Sequence, residues 1–321
     1  MVGTDTWAIV LAGGDGLRLR GLTADAHGQT VPKQFCSVDG GASLLEMAVA
    51  RAQRLVPPER ILASVTDSHQ VWWRDDLSRI PADNIVRQPT NRGTLVGVLL
   101  PLLELFARDP SARLIVIPSD HLVLDEIVFE RAIRSALDDL DERPDSIVLL
   151  GMEPETADPD FGWIVPDRSS AIDPRRVARF AEKPGRTEAG RLRRQGALLN
   201  SFVFTAYVWP LIELCERLQT VQYWSLRLAH WNRSGSSDGL FETYAKLPSG
   251  DFCRDILSRI PDALAVRKVP LCGWSDIGTP GRLAHWLGRR RPPRHAGRRS
   301  DGQRPALTDA VAESVAQQLV G

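Results

Sequence analysis

Three glycines, an arginine and a lysine near the amino terminus have the types and spacing of a phosphate-binding site. Gly13, Gly14 and Gly16 follow the apolar run Trp7, Ala8, Ile9, Val10, Leu11 and Ala12, which reads as a buried strand. Glycines at such a strand end let the backbone turn tightly and bring its N–H groups to an anion, and Arg18 and Lys33 add charge. Two common nucleotide motifs do not fit. A Walker A loop needs Lys-Ser or Lys-Thr directly after its last glycine, where this chain has Leu17 and Arg18; the dinucleotide fingerprint needs a third small residue where Leu19 stands. Neither a P-loop kinase nor a dehydrogenase is therefore expected. Lysine is otherwise scarce: Lys33, Lys183, Lys246 and Lys268 stand against thirty-six arginines. At Lys33 and Lys183 this suggests a need for a compact ammonium, a point charge on phosphate where a planar guanidinium fits badly.

A second chemical feature is the acidic residue in Pro118-Ser119-Asp120-His121, which follows the apolar run Leu114 to Ile117. Taken alone, an aspartate after a strand is a turn former or a helix N-cap. Beside a phosphate site it becomes a candidate magnesium ligand, because Mg2+ takes a few carboxylates together with water and substrate phosphates. His121 reads as a structural neighbour of that ligand.

These residues need a scaffold that brings strand ends together. Ile61 to Val65, Ile85 to Val86, Leu114 to Ile117 and Ile147 to Leu150 read as strands. Between them, Leu45, Ala48, Val49, Ala52 and Leu55 form one helical stripe, and Leu95, Val98, Leu99, Leu102, Leu103 and Phe106 form another. Such alternation predicts an α/β fold with a doubly wound, mainly parallel sheet covered on both faces, and ligands beyond the carboxyl ends of the strands. After residue 150 the pattern changes to three further strand-like stretches, Phe161 to Val165, Val177 to Pro184 and Leu198 to Phe204.

Composition agrees with a soluble enzyme-sized chain: 321 residues, 43% hydrophobic and 25% charged. No stretch reaches the ~18 apolar residues of a membrane span, and Met1 to Asp5 lack the regions of a signal peptide. Cys36, Cys215, Cys253 and Cys272 show no CxxC spacing, so thiols in a reducing cytoplasm are expected in place of disulfides or a zinc site. The zero net charge hides a basic tail, with seven arginines and three acids in residues 289 to 321. Its interleaved Pro and Gly and its lack of aromatics read as a solvated linker and exclude a nucleic-acid groove. Leu307, Val311, Val315 and Leu319, with Thr308 near the start, follow as a short amphipathic helix that would dock on the body or on a second subunit, making a homodimer possible.

The run GG-x-G-x-R-L followed by Pro32-Lys33-Gln34-Phe35 resembles the start of the sugar-nucleotide pyrophosphorylases, the nucleotidyltransferases that join a nucleoside triphosphate to a sugar 1-phosphate. Pro118-Ser119-Asp120-His121 is similar to that family's metal motif, and Trp274-Ser275-Asp276-Ile277-Gly278 to the segment that supplies its second carboxylate. Phe161-Gly162-Trp163-Ile164, Phe180-Ala181-Glu182-Lys183-Pro184 and Asn200-Ser201-Phe202-Val203-Phe204 resemble its sugar-binding pieces, while Ser249 to Asp255 resembles a segment of the mannose-1-phosphate guanylyltransferase branch. The resemblance runs from about Trp7 to Trp286. It implies a Rossmann-like, GT-A-like nucleotidyltransferase domain over residues 1–288, with a nucleotide-binding part to about 150 and an inserted sugar-binding β region over 151–288. Residues 289–321 form the linker and helix. It further implies catalytic Arg18, Lys33, Asp120 and Asp276, with Mg2+ on Asp120 and Asp276. The nucleotide is assigned to Leu11, Ala12, Gly13, Gly14, Gly16, Arg18, Lys33, Gln88, Arg92 and Thr94, and the sugar phosphate to Gly162, Glu182, Lys183 and Asn200. The implied reaction is transfer of GMP from GTP to mannose 1-phosphate. Three departures, Gly21 for a proline, Phe202 for a glycine and the altered segment Pro89 to Thr94, leave open another pair such as UTP or dTTP with glucose 1-phosphate. A catalytically silent, sugar-nucleotide-binding regulator is the other alternative.

Overall fold

The computed structural model describes residues 6–23, 30–169, 171–231, 238–289 and 306–308. Its first half alternates strand and helix: Thr6–Ala12 (β1), Leu44–Gln53 (α1), Ile61–Thr66 (β2), Gln70–Asp76 (α2), Ile85–Gln88 (β3), Gly93–Arg108 (α3), Arg113–Pro118 (β4), Glu126–Glu142 (α4) and Ile147–Met152 (β5). The second half adds Gly162–Pro166 (β6), Arg175–Glu182 (β7), Arg186–Arg194 (α5), Leu198–Tyr207 (β8), Val208–Arg217 (α6), Val221–Trp231 (α7), Asp238–Lys246 (α8), Phe252–Asp255 (α9), Leu264–Lys268 (β9) and Pro280–Arg289 (α10).

Among the described residues, all nine strands join one sheet in the order β3-β2-β1-β4-β8-β5-β9-β7-β6. β1 is nearly continuous in apolar residues because both of its faces are covered. Ala8, Val10 and Ala12 face a core containing Leu44, Leu45 and Ala48 of α1 and Phe129, Ile133 and Leu137 of α4. Ile9 faces the opposite core, built on Leu95, Leu99 and Leu102 of α3. The period of two along a strand sends alternate side chains into the two layers. α1 begins at a capping box, in which Ser43 Oγ accepts from Glu46 N and the Glu46 carboxylate accepts from Ser43 N.

Chain direction departs from the expected mainly parallel sheet. β1 is parallel to β2 and β4, and β2 to β3, so one half has the expected form. β8, however, runs antiparallel between β4 and β5, β6 is antiparallel to β7 and β8, and of the later pairings only β5 with β9 is parallel. The fold is α/β with a mixed sheet. An apolar strand covered on both faces carries the same residues whichever way it runs, so the reversal at β8 is not written in its composition.

The parallel half matters for chemistry. β1, β2, β3 and β4 point the same way, and their carboxyl ends deliver the glycine loop, Thr66, Gln88 and Ser119-Asp120 to one edge. From the other end of the chain, Ala306 bridges Ser37, Leu307 N donates to Ser37 O at 2.9 Å and Thr308 N to Val38 O at 3.0 Å. The Leu307 side chain is fully buried in the core that holds Phe35 and Val38. Val311, Val315, Leu319 and the arginine-rich run after Arg289 lie outside the described residues. Among the described residues no helix is long and apolar enough to cross a membrane. All four cysteines are buried and outside any disulfide, and burial pushes the Cys215 thiol up to about 12.

Candidate active site

The glycine loop is held from three sides. Gln34 Nε2 donates to Ala12 O at 3.1 Å and to Gly14 O at 2.6 Å, and Thr66 Oγ1 donates to Gly13 O at 2.9 Å. Asn91 Nδ2 donates to Asp15 Oδ2 at 3.0 Å, tying the loop to the segment after β3. Gly16 has a φ of +62°, and a Cβ there would stand 2.6 Å from Lys33 N. Glycine is therefore required both for the backbone conformation and for the close approach of the Lys33 segment. That segment is a buried turn, Lys33–Phe35, which aims the Lys33 ammonium inward.

Lys33 is the hub. It is 6% exposed, and its Nζ lies 2.9 Å from Asp120 Oδ2 while donating to Asp276 O at 2.7 Å. Asp120 sits just beyond β4. Asp276 reaches the same place because Leu122 and Ser275 exchange two backbone hydrogen bonds of 2.9 Å, bringing the loop after β9 against the loop after β4. Burial works to raise the Asp120 pKa, but the Lys33 charge and hydrogen bond outweigh it and hold the carboxyl below its ordinary value. Burial drives His121 down to about 4 against the pull of Asp120 and Asp276, so its ring is neutral at pH 7. Trp274 Nε1 donates to His121 Nδ1 at 3.3 Å, which assigns the ring proton to Nε2, 3.7 Å from Asp120 Oδ1. Asp276 also makes the local turn its sequence context suggests, with Oδ1 accepting from Gly278 N at 3.1 Å.

A cleft of about 550 Å³ opens over these groups. It is lined by the expected Leu11, Gly13, Gly14, Gly16, Lys33, Gln88, Thr94, Asp120 and Asp276. Ala12 is buried beneath the loop, and the Arg18 side chain lies outside the described ones. Arg92 is not among the lining residues; its Nε donates to Tyr244 O at 3.0 Å and so anchors α8. Gln88 Nε2 donates to Ser64 Oγ at 3.1 Å, while its buried Oε1 has no hydrogen-bond partner among the described residues. Ser64, Asn91, Gly97 and Phe202 also line the cleft and were not singled out as binding groups by the sequence reading. Asn91 belongs to the segment that departs from the family pattern, and that departure was its only signal.

Gly162, Glu182, Lys183 and Asn200 gather along β6, β7 and β8, whose antiparallel pairing sets Gly162 opposite Glu182. A Cβ on Gly162 would come within 2.7 Å of Glu182 Oε2. That oxygen is buried and without a hydrogen-bond partner among the described residues, and burial raises the Glu182 pKa in spite of Lys183. Lys183 Nζ lies 3.1 Å from Glu182 Oε1 and 3.8 Å from Asp251 Oδ2, on a backbone with φ +43°. Asn200 Nδ2 donates to Cys253 Sγ at 3.3 Å, and Asn200 Oδ1 accepts from Phe202 N at 3.1 Å. Phe202 itself has φ +61°, a left-handed conformation that costs a side chain about 1–2 kcal/mol. Glu182, Asp251 and Cys253 also lie close enough to hold a cation, but Lys183 already supplies positive charge there.

The family model for nucleotidyl transferases matches residues 7–286. The chain belongs to the nucleotidyl transferase family. The match includes the glycine loop, both aspartates and the β6–β8 region. A mannose-1-phosphate guanylyltransferase of Salmonella muenchen is 28% identical over 282 residues, covering 84% of this chain and 57% of that protein. One of Escherichia coli is 29% identical over 287 residues, covering 84% and 58%. The chain thus spans a little over half the length of these relatives. The crystal structure of a mannose-1-phosphate geranyltransferase from Thermus thermophilus aligns with a TM-score of 0.74 at 29% identity, over 90% of this chain and 81% of that one.

Proposed function

We propose that this nucleotidyl transferase moves GMP from GTP to mannose 1-phosphate, yielding GDP-mannose and pyrophosphate. The observation that carries the reading is Lys33, a nearly buried ammonium that joins the Asp120 carboxylate to the Asp276 backbone at the mouth of the glycine loop. An oxygen of the sugar 1-phosphate attacks the α-phosphorus, a new P–O bond forms, the bond to the β-phosphate oxygen breaks, and pyrophosphate leaves. The attacking phosphate is already ionised, so no general base is required. Positioning and charge neutralisation therefore provide most of the acceleration.

The loop amides of Gly13, Gly14 and Gly16, with Arg18, hold the β- and γ-phosphates, Lys33 offsets charge growing at the α-phosphorus, and Gln88 and Thr94 serve the base side. Asp120, kept ionised by Lys33, and Asp276 are hard oxygen donors at a phosphate site, the donor set magnesium favours. When bound there, magnesium supplies neutralising charge for the triphosphate. Lys183 takes the sugar phosphate, while Glu182, Asn200 and the backbone at Gly162 take the hexose hydroxyls. The orphaned Glu182 Oε2 supports this, since a buried acceptor without a partner is matched by a ligand hydroxyl.

Phe202, in the cleft where the family pattern has glycine, favours one other reading, the same chemistry with a different pair such as UTP or dTTP and glucose 1-phosphate. The test is pyrophosphate release from GTP, ATP, UTP, dTTP and CTP crossed with mannose, glucose, fucose and N-acetylglucosamine 1-phosphates. Release dependent on GTP with mannose 1-phosphate supports the proposal. A different winning pair overturns the substrate assignment and keeps the mechanism, and no release from any pair overturns both.

A further inference from the structure

Arg282 lies outside every motif of the sequence reading, yet its guanidinium is almost enclosed. Its side chain is 17% exposed, and all three guanidinium nitrogens are withdrawn from water without a well-formed hydrogen bond among the described residues. It rests 4.5 Å above the Phe161 ring. Around it stand three carboxylates: Asp158 Oδ2 at 3.3 Å, Asp160 Oδ2 at 3.5 Å and Asp276 Oδ1 at 3.4 Å. A cation stacked on a ring and shared among three acids is a charge in a socket, and it joins segments far apart in sequence.

Both sides of the socket lead to the site. On one side, Asp276 Oδ1 lies 3.4 Å from Arg282 Nε and accepts from the Gly278 amide, so Arg282 and the local turn hold the same carboxylate oxygen. On the other, the Asp158–Phe161 segment runs directly into Gly162, and Phe161 O accepts from Lys183 N at 3.2 Å. Trp163 Nε1 donates to Asp158 O at 3.0 Å, fixing the start of that segment to β6. Arg282 therefore stands between the proposed metal carboxylate and the backbone that carries both Gly162 and Lys183.

We infer that Arg282 is a positioning residue that locks the Asp276 loop to the Asp158–Phe161 segment, so that the sugar phosphate is presented to the α-phosphorus in register. The inference rests on the nucleotidyl-transfer reading above. It is tested by calorimetric binding of GDP and of GDP-mannose to the wild type, to Arg282→Met, which keeps the packing on Phe161 without the charge, to Arg282→Lys, and to Asp160→Asn. Arg282→Met should weaken GDP-mannose by about three- to tenfold, the scale of freeing one or two ordered side chains, and leave GDP within about twofold. Arg282→Lys should recover part of the loss, and Asp160→Asn should have less effect in the Arg282→Met background than alone. Unchanged GDP-mannose binding in Arg282→Met, or equal weakening of GDP and GDP-mannose, overturns the positioning role and leaves the nucleotidyl-transfer reading standing. A wild type that binds GDP-mannose no better than GDP overturns the sugar site, and the inference with it.

Discussion

Lys33→Ala removes an ammonium that lies 2.9 Å from Asp120 Oδ2 and 2.7 Å from Asp276 O. At an effective dielectric of about 20, the Lys33–Asp120 attraction is roughly 6 kcal/mol before solvent screening. The Asp120 side chain is 37% exposed, so water takes over much of that role once the ammonium is gone, and the folding cost falls to about 1–2 kcal/mol. The catalytic cost is expected to be larger, because in the proposed reaction the same charge is fixed in advance where negative charge accumulates. Loss of one such preorganised group costs about 3–4 kcal/mol, or roughly 10²–10³ in kcat. Steady-state pyrophosphate release at saturating GTP and mannose 1-phosphate measures it, with a thermal melt to confirm folding. Lys33→Arg should rescue little, remaining below about a tenth of wild type, because a guanidinium does not fit a slot closed around a compact ammonium. A folded Lys33→Ala protein with kcat within about threefold of wild type would refute the reasoning.

Gly16→Ala should cut kcat/KM at least tenfold and cost about 1–3 kcal/mol of stability, since the new Cβ meets Lys33 N in a positive-φ backbone; wild-type kinetics would show that the loop does not place Lys33. Phe202→Gly relieves a left-handed strain of about 1–2 kcal/mol while losing contact with the Phe252 and Phe204 rings. It should shift KM for the sugar 1-phosphate at least about threefold with little change for the nucleotide, and an unchanged KM would remove Phe202 from the hexose side. Leu307→Ala empties a fully buried position and should cost about 2–5 kcal/mol, read as a drop of several degrees in Tm. An unaltered Tm would show that the Ala306–Thr308 contact contributes nothing to the body.

The parts of this molecule legible in its sequence are those set by local chemistry. β1 and its glycine loop could be read because a central strand must be apolar throughout and the loop needs residues without Cβ atoms. α1 and α3 follow the stripes of Leu45 to Leu55 and Leu95 to Phe106 within a few residues. Asp120 could be singled out because the end of a parallel strand is where such folds place ligands. What was not legible depends on pairing between distant segments. β8 between β4 and β5, the short strand β9 and the bridge from Leu122 to Ser275 have no local signature, yet they bring Asp276 beside Lys33. The Glu182–Lys183 ion pair forms as an ordinary surface reading would have it, and only the buried Glu182 Oε2 marks it as more than that. Asp276 was marked by its motif, but Arg282 belongs to none, and its three carboxylates come from two separate loops.

The central claim is that Asp120 and Asp276 act together, with magnesium, on a nucleoside triphosphate held by the glycine loop. Pyrophosphate release by wild type, Asp120→Ala and Asp276→Ala, each across a magnesium titration and in EDTA, tests it most directly. The account predicts that wild type requires magnesium and that each variant loses roughly 10² or more in kcat while remaining folded. Wild-type, magnesium-dependent rates in both variants would contradict it.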